Sequence, residues 1–208
     1  MKKIVLSLVV LLISIYGLSQ EGKYIQFKLY KNLEFDLGQT QATRTITLGT
    51  FSPAIAWGKN ENFNEIQIQA INFFSRSEAK AYSGELEYTY NYCVSDDTKS
   101  RIQFFFGGGI GGGFESIYSE IFRNSTVAVA TTGKYIRFHL IGIPRVTYRL
   151  NNTISLDASL PYKFIDYEHS RLSEYDTRVP ENQQTTTFNT IDYFRSAVSF
   201  KFGAIVKF

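Results

Sequence analysis

The chain has 208 residues, which is enough for one domain or at most two. Its 22 basic and 19 acidic side chains give a formal net charge of +3, too balanced for a protein that binds nucleic acid by electrostatics. A single cysteine excludes an intrachain disulfide, and with only two histidines a zinc cluster of cysteines and histidines is not expected.

The N-terminus has the layout of a secretory signal peptide. Within residues 1–19, a short positive segment is followed by an apolar stretch (residues 4–16) and then by small residues at the spacing of a cleavage site. The apolar stretch is shorter than the roughly 20 residues that a membrane-spanning helix needs. We therefore predict cleavage after Ser19, a mature chain that begins at Gln20, and one exported domain over residues 20–208.

The mature chain alternates apolar and polar residues with a period of two, which is typical of strands whose two faces meet different environments. In chain order, the alternating segments lie near residues 25–37, 45–57, 66–70, 85–94, 102–114, 136–150, 154–164 and 198–208. The second segment changes phase around Gly49 and Thr50, as a β-bulge would. The pattern predicts eight strands and no helix.

The length of these strands favours a membrane protein. Several segments alternate for ten residues or more, and a tilted strand needs about 9–11 residues to cross a bilayer. The interior of an eight-stranded barrel is too narrow to hold so many Phe and Tyr side chains, so we expect the apolar stripes to face lipid and the charged stripes to face the lumen. The predicted fold is all-β, an eight-stranded antiparallel up-and-down transmembrane β-barrel that is closed to leave no unpaired strand edge.

The connections between strands also fit an outer-membrane barrel. Three of them are short, near residues 58–62, 95–100 and 151–152, and they alternate with four others, two of which are far longer. The other four lie near residues 38–44, 75–84, 115–134 and 165–190. Short periplasmic turns alternate with longer extracellular loops in such barrels. We therefore expect the cell outer membrane, with both termini in the periplasm and the long loops outside.

The chain resembles the small outer-membrane β-barrels of the Bacteroidetes type, the PorT-like family, and more distantly the OmpX and OmpA barrels. The resemblance rests on the signal peptide, on the alternating last strand that ends in Phe208, and on residues 140–149, LIGIPRVTYR. Arg145 departs from the apolar residue that the family usually has there. The resemblance implies location and fold rather than a substrate, and it implies that Phe208 is an assembly signal read by the barrel-assembly machinery.

The inward phase of the strands predicts a lumen filled with charges. The expected inward residues are Lys28, Glu34, Glu85, Glu87, Arg101, Arg137, Arg145, Arg149, Asp157, Lys163, Arg195 and Lys201. Since charges that leave water need partners, we expect Glu85 and Glu87 to meet basic residues of facing strands. The best candidates are Arg137, Arg145 and Lys201. The lumen is then predicted to be closed.

Four local features have plain structural explanations. The glycine-rich run at residues 106–114 contains GxGxxG-like spacing but lies in a strand pattern, so its inward glycines are expected to make room for lumen side chains. Pro144, on the outward phase, predicts a bulge or local irregularity. Lys31, also outward, requires either the membrane boundary or a bulge. His139 is expected to be a hydrogen-bonded lumen residue, and no metal site or cofactor is predicted.

The most direct functional interpretation is a monomeric scaffold that presents four outer loops, with recognition in residues 115–134 and 165–190. Its expected partners are outer-membrane lipid and lipopolysaccharide, the assembly machinery during insertion, and a surface or periplasmic protein. One alternative is a narrow pore for small solutes, which needs an open lumen. Another is a loop-borne hydrolase, which needs a convergent site around His169 with its neighbours Asp166, Glu168 and Ser170. We expect no enzyme.

Overall fold

The structure is a computed structural model that describes residues 23–36, 46–59, 61–75, 79–95, 100–123, 126–175, 184–194 and 197–208. The predicted signal peptide, the cleavage position at Ser19 and Gln20, and Arg195 lie outside these residues, as does the side chain of Glu34. The described residues contain no helix of the length and apolarity that crossing a bilayer requires.

Ten β-strands make up the described fold. They are β1 (Lys23–Asp36), β2 (Ile46–Lys59), β3 (Asn62–Ser75), β4 (Ala79–Cys93), β5 (Ile102–Arg123), β6 (Thr126–Arg149), β7 (Ile154–Ser159), β8 (Tyr162–Tyr175), β9 (Thr185–Tyr193) and β10 (Ala197–Lys207). Strands β1 to β6 pair antiparallel in sequence order, and β1 also pairs with β10, from Gln26 opposite Lys207 to Asp36 opposite Ala197. This last pairing closes the sheet on itself.

The ten strands occupy eight positions around the barrel, because two positions are each filled by two strands in succession. Strand β6 pairs with β7 over its last residues and with β8 over residues 130–142, with a break at Leu160 and Pro161 between the two partners. In the next position, β10 pairs with β7 and β9 pairs with β8. The predicted eight-stranded antiparallel barrel is therefore confirmed. We call the end that carries Lys23 and Phe208 the terminal end and the other the hairpin end.

The apolar stripes face outward, as the alternation predicts. Alternate positions of β4, β5 and β6 expose large apolar side chains, while their neighbours in sequence point into the lumen. In β5, Phe104, Phe106, Ile110 and Phe114 are all between 58% and 59% exposed, whereas Phe105 is 6% exposed. This inversion of the usual inside-outside rule is expected only where the outer surface meets lipid.

The phase change in the second strand is a β-bulge at the predicted place. Lys31 lies opposite Phe51, but Leu33 lies opposite Leu48, so residues 49 and 50 of β2 oppose a single residue of β1. The pairing of β1 with β10 is regular through Lys31, so Lys31 keeps its outward phase, and a membrane boundary near this residue stays a prediction. Its ammonium lies 4.8 Å from the centre of the Phe51 ring, a cation–π contact that partly replaces hydration.

Three predicted loops are wrong, because strand pairing continues through most of each. Residues 115–134 belong almost entirely to β5 and β6. Strands β8 and β9 extend far into residues 165–190. Within residues 75–84, the bounds of β3 and β4 leave only residues 76–78 between the two strands. Beyond the apolar band both faces of a strand meet water, so the hydropathy alternation ends while the backbone ladder does not. At about 3.3 Å per residue, residues 115–123 carry β5 about 30 Å further along the strand than Phe114.

Pro144 accounts for the change of partner along β6. The Leu160 N–H donates to the Pro144 carbonyl at 3.0 Å. Since the nitrogen and carbonyl of one strand residue face the same neighbour, the Pro144 nitrogen, which has no N–H, faces the break between β7 and β8. The ladder to β5 is therefore not affected. The predicted irregularity is present, in the neighbouring strand position rather than in β6 itself.

Candidate functional site

The middle of the lumen is filled by four charged side chains and one tyrosine from β1, β3, β6 and β7, which we call the central ion cluster. Its members are Lys28, Tyr30, Glu65, Arg145 and Asp157. Arg145 donates two hydrogen bonds of 2.7 and 2.9 Å to the Glu65 carboxylate, and Lys28 lies 2.7 Å from the same group. Tyr30 donates to both acids, at 2.9 and 3.2 Å. Two cations thus balance two anions where no side chain is more than 1% exposed, as burial requires.

A second buried group lies next to the central ion cluster, toward the hairpin end. The Lys201 ammonium lies 3.0 Å from Glu87 and donates a 2.9 Å hydrogen bond to the side-chain carbonyl of Gln67. Gln69 donates to the other oxygen of Glu87. The Glu87 carboxylate is therefore held from two sides by strands β3 and β10.

At the hairpin end the lumen is lined by partly exposed charged side chains, and we call this region the vestibule. Its lining charges are Glu85, Glu115, Arg137, Lys163, Asp166 and Glu168. Arg137 lies 2.6 Å from Glu168 and 3.3 Å from Glu115, and its side chain is 40% exposed. Side-chain exposure falls to 23% at Glu85 and to 2% at Glu87. Water therefore reaches the level of Glu85 and is excluded just below it.

The terminal end has a cavity of about 280 Å³, whose lining includes Tyr24, Gln103 and Lys207. Phe63 and Phe105 meet edge to face at its inner end, with ring centres 5.3 Å apart. Along β1 and β3 the central ion cluster follows directly after this cavity. The cluster therefore separates it from the vestibule at the hairpin end.

The inward glycines of β5 leave space for lumen side chains, as predicted, but these come from the adjacent strands rather than from facing ones. A Cβ built at Gly111 would overlap the His139 imidazole, and one at Gly109 would overlap the backbone of Tyr88 and Thr89. A Cβ at the outward Gly108 would meet only a carbonyl oxygen at 3.8 Å. The inward glycines therefore give place to side chains of the adjacent strands β4 and β6.

The structure brings together only part of the predicted lumen network. It places Lys201 beside Glu87, whereas Arg145 contacts Glu65 and Asp157 of the central ion cluster. Arg137 extends toward the hairpin end and contacts Glu115 and Glu168. The basic group beside Glu85 is the Lys163 ammonium, 3.7 Å away. The predicted contacts of Arg137 and Arg145 with Glu85 or Glu87 are therefore corrected. These contacts depend on where residues of facing strands lie along the barrel axis. The alternation within one strand shows only which side chains point inward.

Two central residues were missed by the sequence prediction. Glu65 and Tyr30 are 1% and 0% exposed and together contact every other member of the central ion cluster. Both lie on the inward phase of their strands, so the period of two could have identified them. His139 differs from expectation in part: neither ring nitrogen makes a hydrogen bond of good geometry among the described residues, although Nε2 lies 3.4 Å from a carboxylate oxygen of Glu85.

The residues considered for a hydrolase are separated by strand geometry. Residues 166–170 lie within β8 rather than in a loop, so His169 points to the opposite face from Glu168 and Ser170. His169 Nδ1 lies 2.7 Å from the side-chain oxygen of Asn189 on the exposed outer face. His169 therefore does not form the convergent site with Asp166, Glu168 and Ser170 that a hydrolase would need.

Strand β9 has an unpaired edge within the part of the chain that the structure describes. Its only ladder neighbour is β8, and all nine of its residues are exposed. Hydrogen bonds join Glu174 to Gln184 and Phe194 to Phe164, so the even-numbered residues of β9 bond to β8. The backbone groups of Thr185, Thr187, Asn189, Ile191 and Tyr193 therefore point away from β8.

The terminal residue closes the barrel at the other end. The Phe208 N–H donates to the Ile25 carbonyl at 3.0 Å, and its ring packs edge to face on Phe27 with 5.6 Å between ring centres. These contacts join the last strand to the first. The role of Phe208 as an assembly signal stays a prediction.

Solved structures include several barrels that resemble this one. The chain is similar to the outer membrane protein OprG from Pseudomonas aeruginosa, with a TM-score of 0.54 and 13% identity over 90% of this chain and 96% of OprG. It is also similar to a major outer membrane protein from Thermus thermophilus, with a TM-score of 0.52 and 12% identity over 90% of this chain and all of that one. No family model matches the sequence, and no curated protein matches it. The fold is thus that of small outer-membrane barrels, and membership of the PorT-like family stays a prediction.

Proposed function

We propose that the protein is an outer-membrane binding scaffold whose barrel anchors it and whose hairpin end recognises a protein partner. The exposed apolar band supports a lipid environment, because a water-soluble barrel would not expose so many aromatic side chains. The termini then lie in the periplasm and the hairpin end outside the cell.

The closed lumen argues against conduction as the main role. The central ion cluster lies between the cavity at the terminal end and the vestibule at the hairpin end, and its side chains are at most 1% exposed. An eight-stranded barrel leaves an interior that side chains fill. Binding is therefore assigned to the outer surface of the hairpin end rather than to a pathway through it.

The observation that carries the proposal is the edge of β9 that no described residue pairs with. An exposed row of backbone N–H and C=O groups is a template for an added strand, and strand addition is a common mode of polypeptide recognition. The residues that direct their backbone groups to this edge include Thr187 and Asn189. We infer that the partner is an extended polypeptide segment that pairs with β9.

The test uses proteoliposomes and a defined probe, a fluorescent peptide with the sequence of residues 185–193. Because the outer edge of β9 offers backbone donors and acceptors to an added extended segment, the wild-type protein should bind the peptide. A double variant, Thr187→Pro with Asn189→Pro, removes donors only from the free edge and should abolish binding while the β8 ladder persists. The same peptide with alternate backbone N-methyl groups should compete poorly.

Trimming the hairpins provides the matched control. Ile117 and Gly133 can be joined by Asn-Gly in place of residues 118–132, because they form a hydrogen-bonded pair to which a two-residue turn fits. This variant keeps β9 and should retain peptide binding. Unchanged binding by the proline double variant, or no binding by the wild type, would contradict the proposal.

A further inference from the structure

His139 is a buried imidazole whose two nitrogens lack hydrogen-bond partners among the described residues. The residue is 3% exposed, and a buried polar group without a partner is costly in free energy. Its Nε2 atom faces two carboxylates, 3.4 Å from Oε1 of Glu85 and 3.9 Å from Oε2 of Glu87. Oε1 of Glu85 also lacks a hydrogen-bond partner. An imidazole nitrogen and two carboxylate oxygens thus converge on one point of the lumen.

We propose that Glu85, Glu87 and His139 bind a divalent transition-metal ion of the Zn²⁺ class at the floor of the vestibule. One imidazole nitrogen with carboxylate oxygens is a donor set that suits such ions. The three ligand atoms lie within 4.8 Å of one another, and ligands about 2.0–2.2 Å from Zn²⁺ lie about 3.3–3.6 Å apart. Small rotations of the two glutamates close the difference.

The surroundings hold these ligands in place. Gln69 and Lys201 contact the Glu87 carboxylate from β3 and β10 and limit its movement to small rotations, as outer-shell partners do in metal sites. The imidazole of His139 occupies the space that a Cβ at Gly111 would take. The glycine in β5 is therefore required for His139 to reach the two glutamates.

The charge of the region favours a cation. The connected acidic side chains at and above this level are Glu85, Glu87, Glu115, Asp166 and Glu168, and the connected basic ones are Arg137, Lys163 and Lys201. Among these described residues five carboxylates face three cations, so the vestibule has a net negative charge that attracts a metal ion from the hairpin end. Lys163 is 24% exposed and only 3.7 Å from Glu85, so its ammonium competes with the metal and can move into water.

The experiment titrates the refolded, chelator-treated protein in detergent with Co²⁺ and with Zn²⁺. Co²⁺ is followed by its visible absorption, which reports nitrogen and oxygen ligands, and Zn²⁺ by calorimetry. We expect one equivalent of either metal to bind, with Zn²⁺ displacing Co²⁺. His139→Gln should weaken binding by more than about 100-fold, because it removes a direct ligand.

Two further variants separate a metal site from a structural role of the same residues. His169→Gln is the matched control, since the only other histidine lies on the outer face, and it should leave binding unchanged. Lys163→Met removes the competing ammonium and should tighten metal binding by about ten-fold. This variant changes no metal ligand, so it keeps the test valid if His139→Gln fails to fold. Absence of metal binding by the wild type, binding unaffected by His139→Gln, or weaker binding by Lys163→Met would overturn the proposal.

Discussion

Replacing Glu65 with glutamine removes one charge from the central ion cluster while it keeps the size of the side chain. Three donors approach the Oε2 atom of Glu65, namely Lys28 at 2.7 Å, Arg145 at 2.7 Å and Tyr30 at 2.9 Å. In the variant, the amide NH₂ can take the position of Oε2, where it faces the three donors and accepts no hydrogen bond from them. Alternatively the amide oxygen takes that position, and the NH₂ then replaces Oε1, the second acceptor of Arg145. Two buried cations then face Asp157 alone.

The magnitude follows from the burial of the cluster. Its side chains are at most 1% exposed, so water cannot compensate the uncancelled positive charge. Removing one partner of a buried ion pair costs about 3–5 kcal/mol, and we expect Glu65→Gln to lower the free energy of unfolding by that amount. Lys28→Met in the same chain restores a neutral pair of Arg145 and Asp157 and should recover part of the loss.

The assay is reversible urea unfolding in lipid vesicles, followed by the fluorescence of Trp57. This residue is the only tryptophan and faces outward, so it reports contact with lipid. Glu174→Gln is the control, because Glu174 is exposed and its change should stay within about 0.5 kcal/mol. Equal unfolding midpoints for Glu65→Gln and wild type, or strictly additive effects of Glu65→Gln and Lys28→Met, would refute the reasoning.

Three further predictions concern the wall, the last strand and processing. Gly111→Ala should lower the free energy of unfolding by about 1–3 kcal/mol, because its methyl group would overlap His139, while Gly108→Ala should change it little; equal effects in urea unfolding would contradict this. Phe208→Ser should reduce the heat-modifiable folded band on gels, and wild-type assembly would show that Phe208 is only an interfacial anchor. Mass spectrometry of outer-membrane protein should find Gln20 as the first residue, and retention of residues 1–16 would refute the signal peptide.

The sequence was sufficient to predict the barrel because lipid and lumen impose opposite chemistry on successive residues. That contrast marks Phe104, Phe106 and Ile110 as outward and locates the bulge at residues 49 and 50. The contrast disappears where a strand leaves the bilayer, since both of its faces then meet water. For this reason residues 115–134 were predicted to be a loop although they are paired strands.

Contacts inside the lumen were less predictable. Alternation tells that Arg145 and Glu87 point inward, but the tilt and stagger of the strands decide which inward residues share a height. Arg145 meets Glu65 across the lumen, and Glu87 meets Lys201. The approach of His139 to Glu85 and Glu87 follows from the same three-dimensional arrangement, so no spacing in the chain could reveal it.

The most direct test of the account is the conductance of the wild-type protein in planar lipid bilayers. Since the central ion cluster closes the lumen, the wild type should show no steady conductance after insertion is verified by its folded band. Glu65→Ala, which leaves Lys28 and Arg145 of the central ion cluster without the carboxylate that they share, should produce brief openings and so show that conduction is detectable. A large and stable wild-type conductance would contradict the closed lumen and would assign the protein to the small-solute channels.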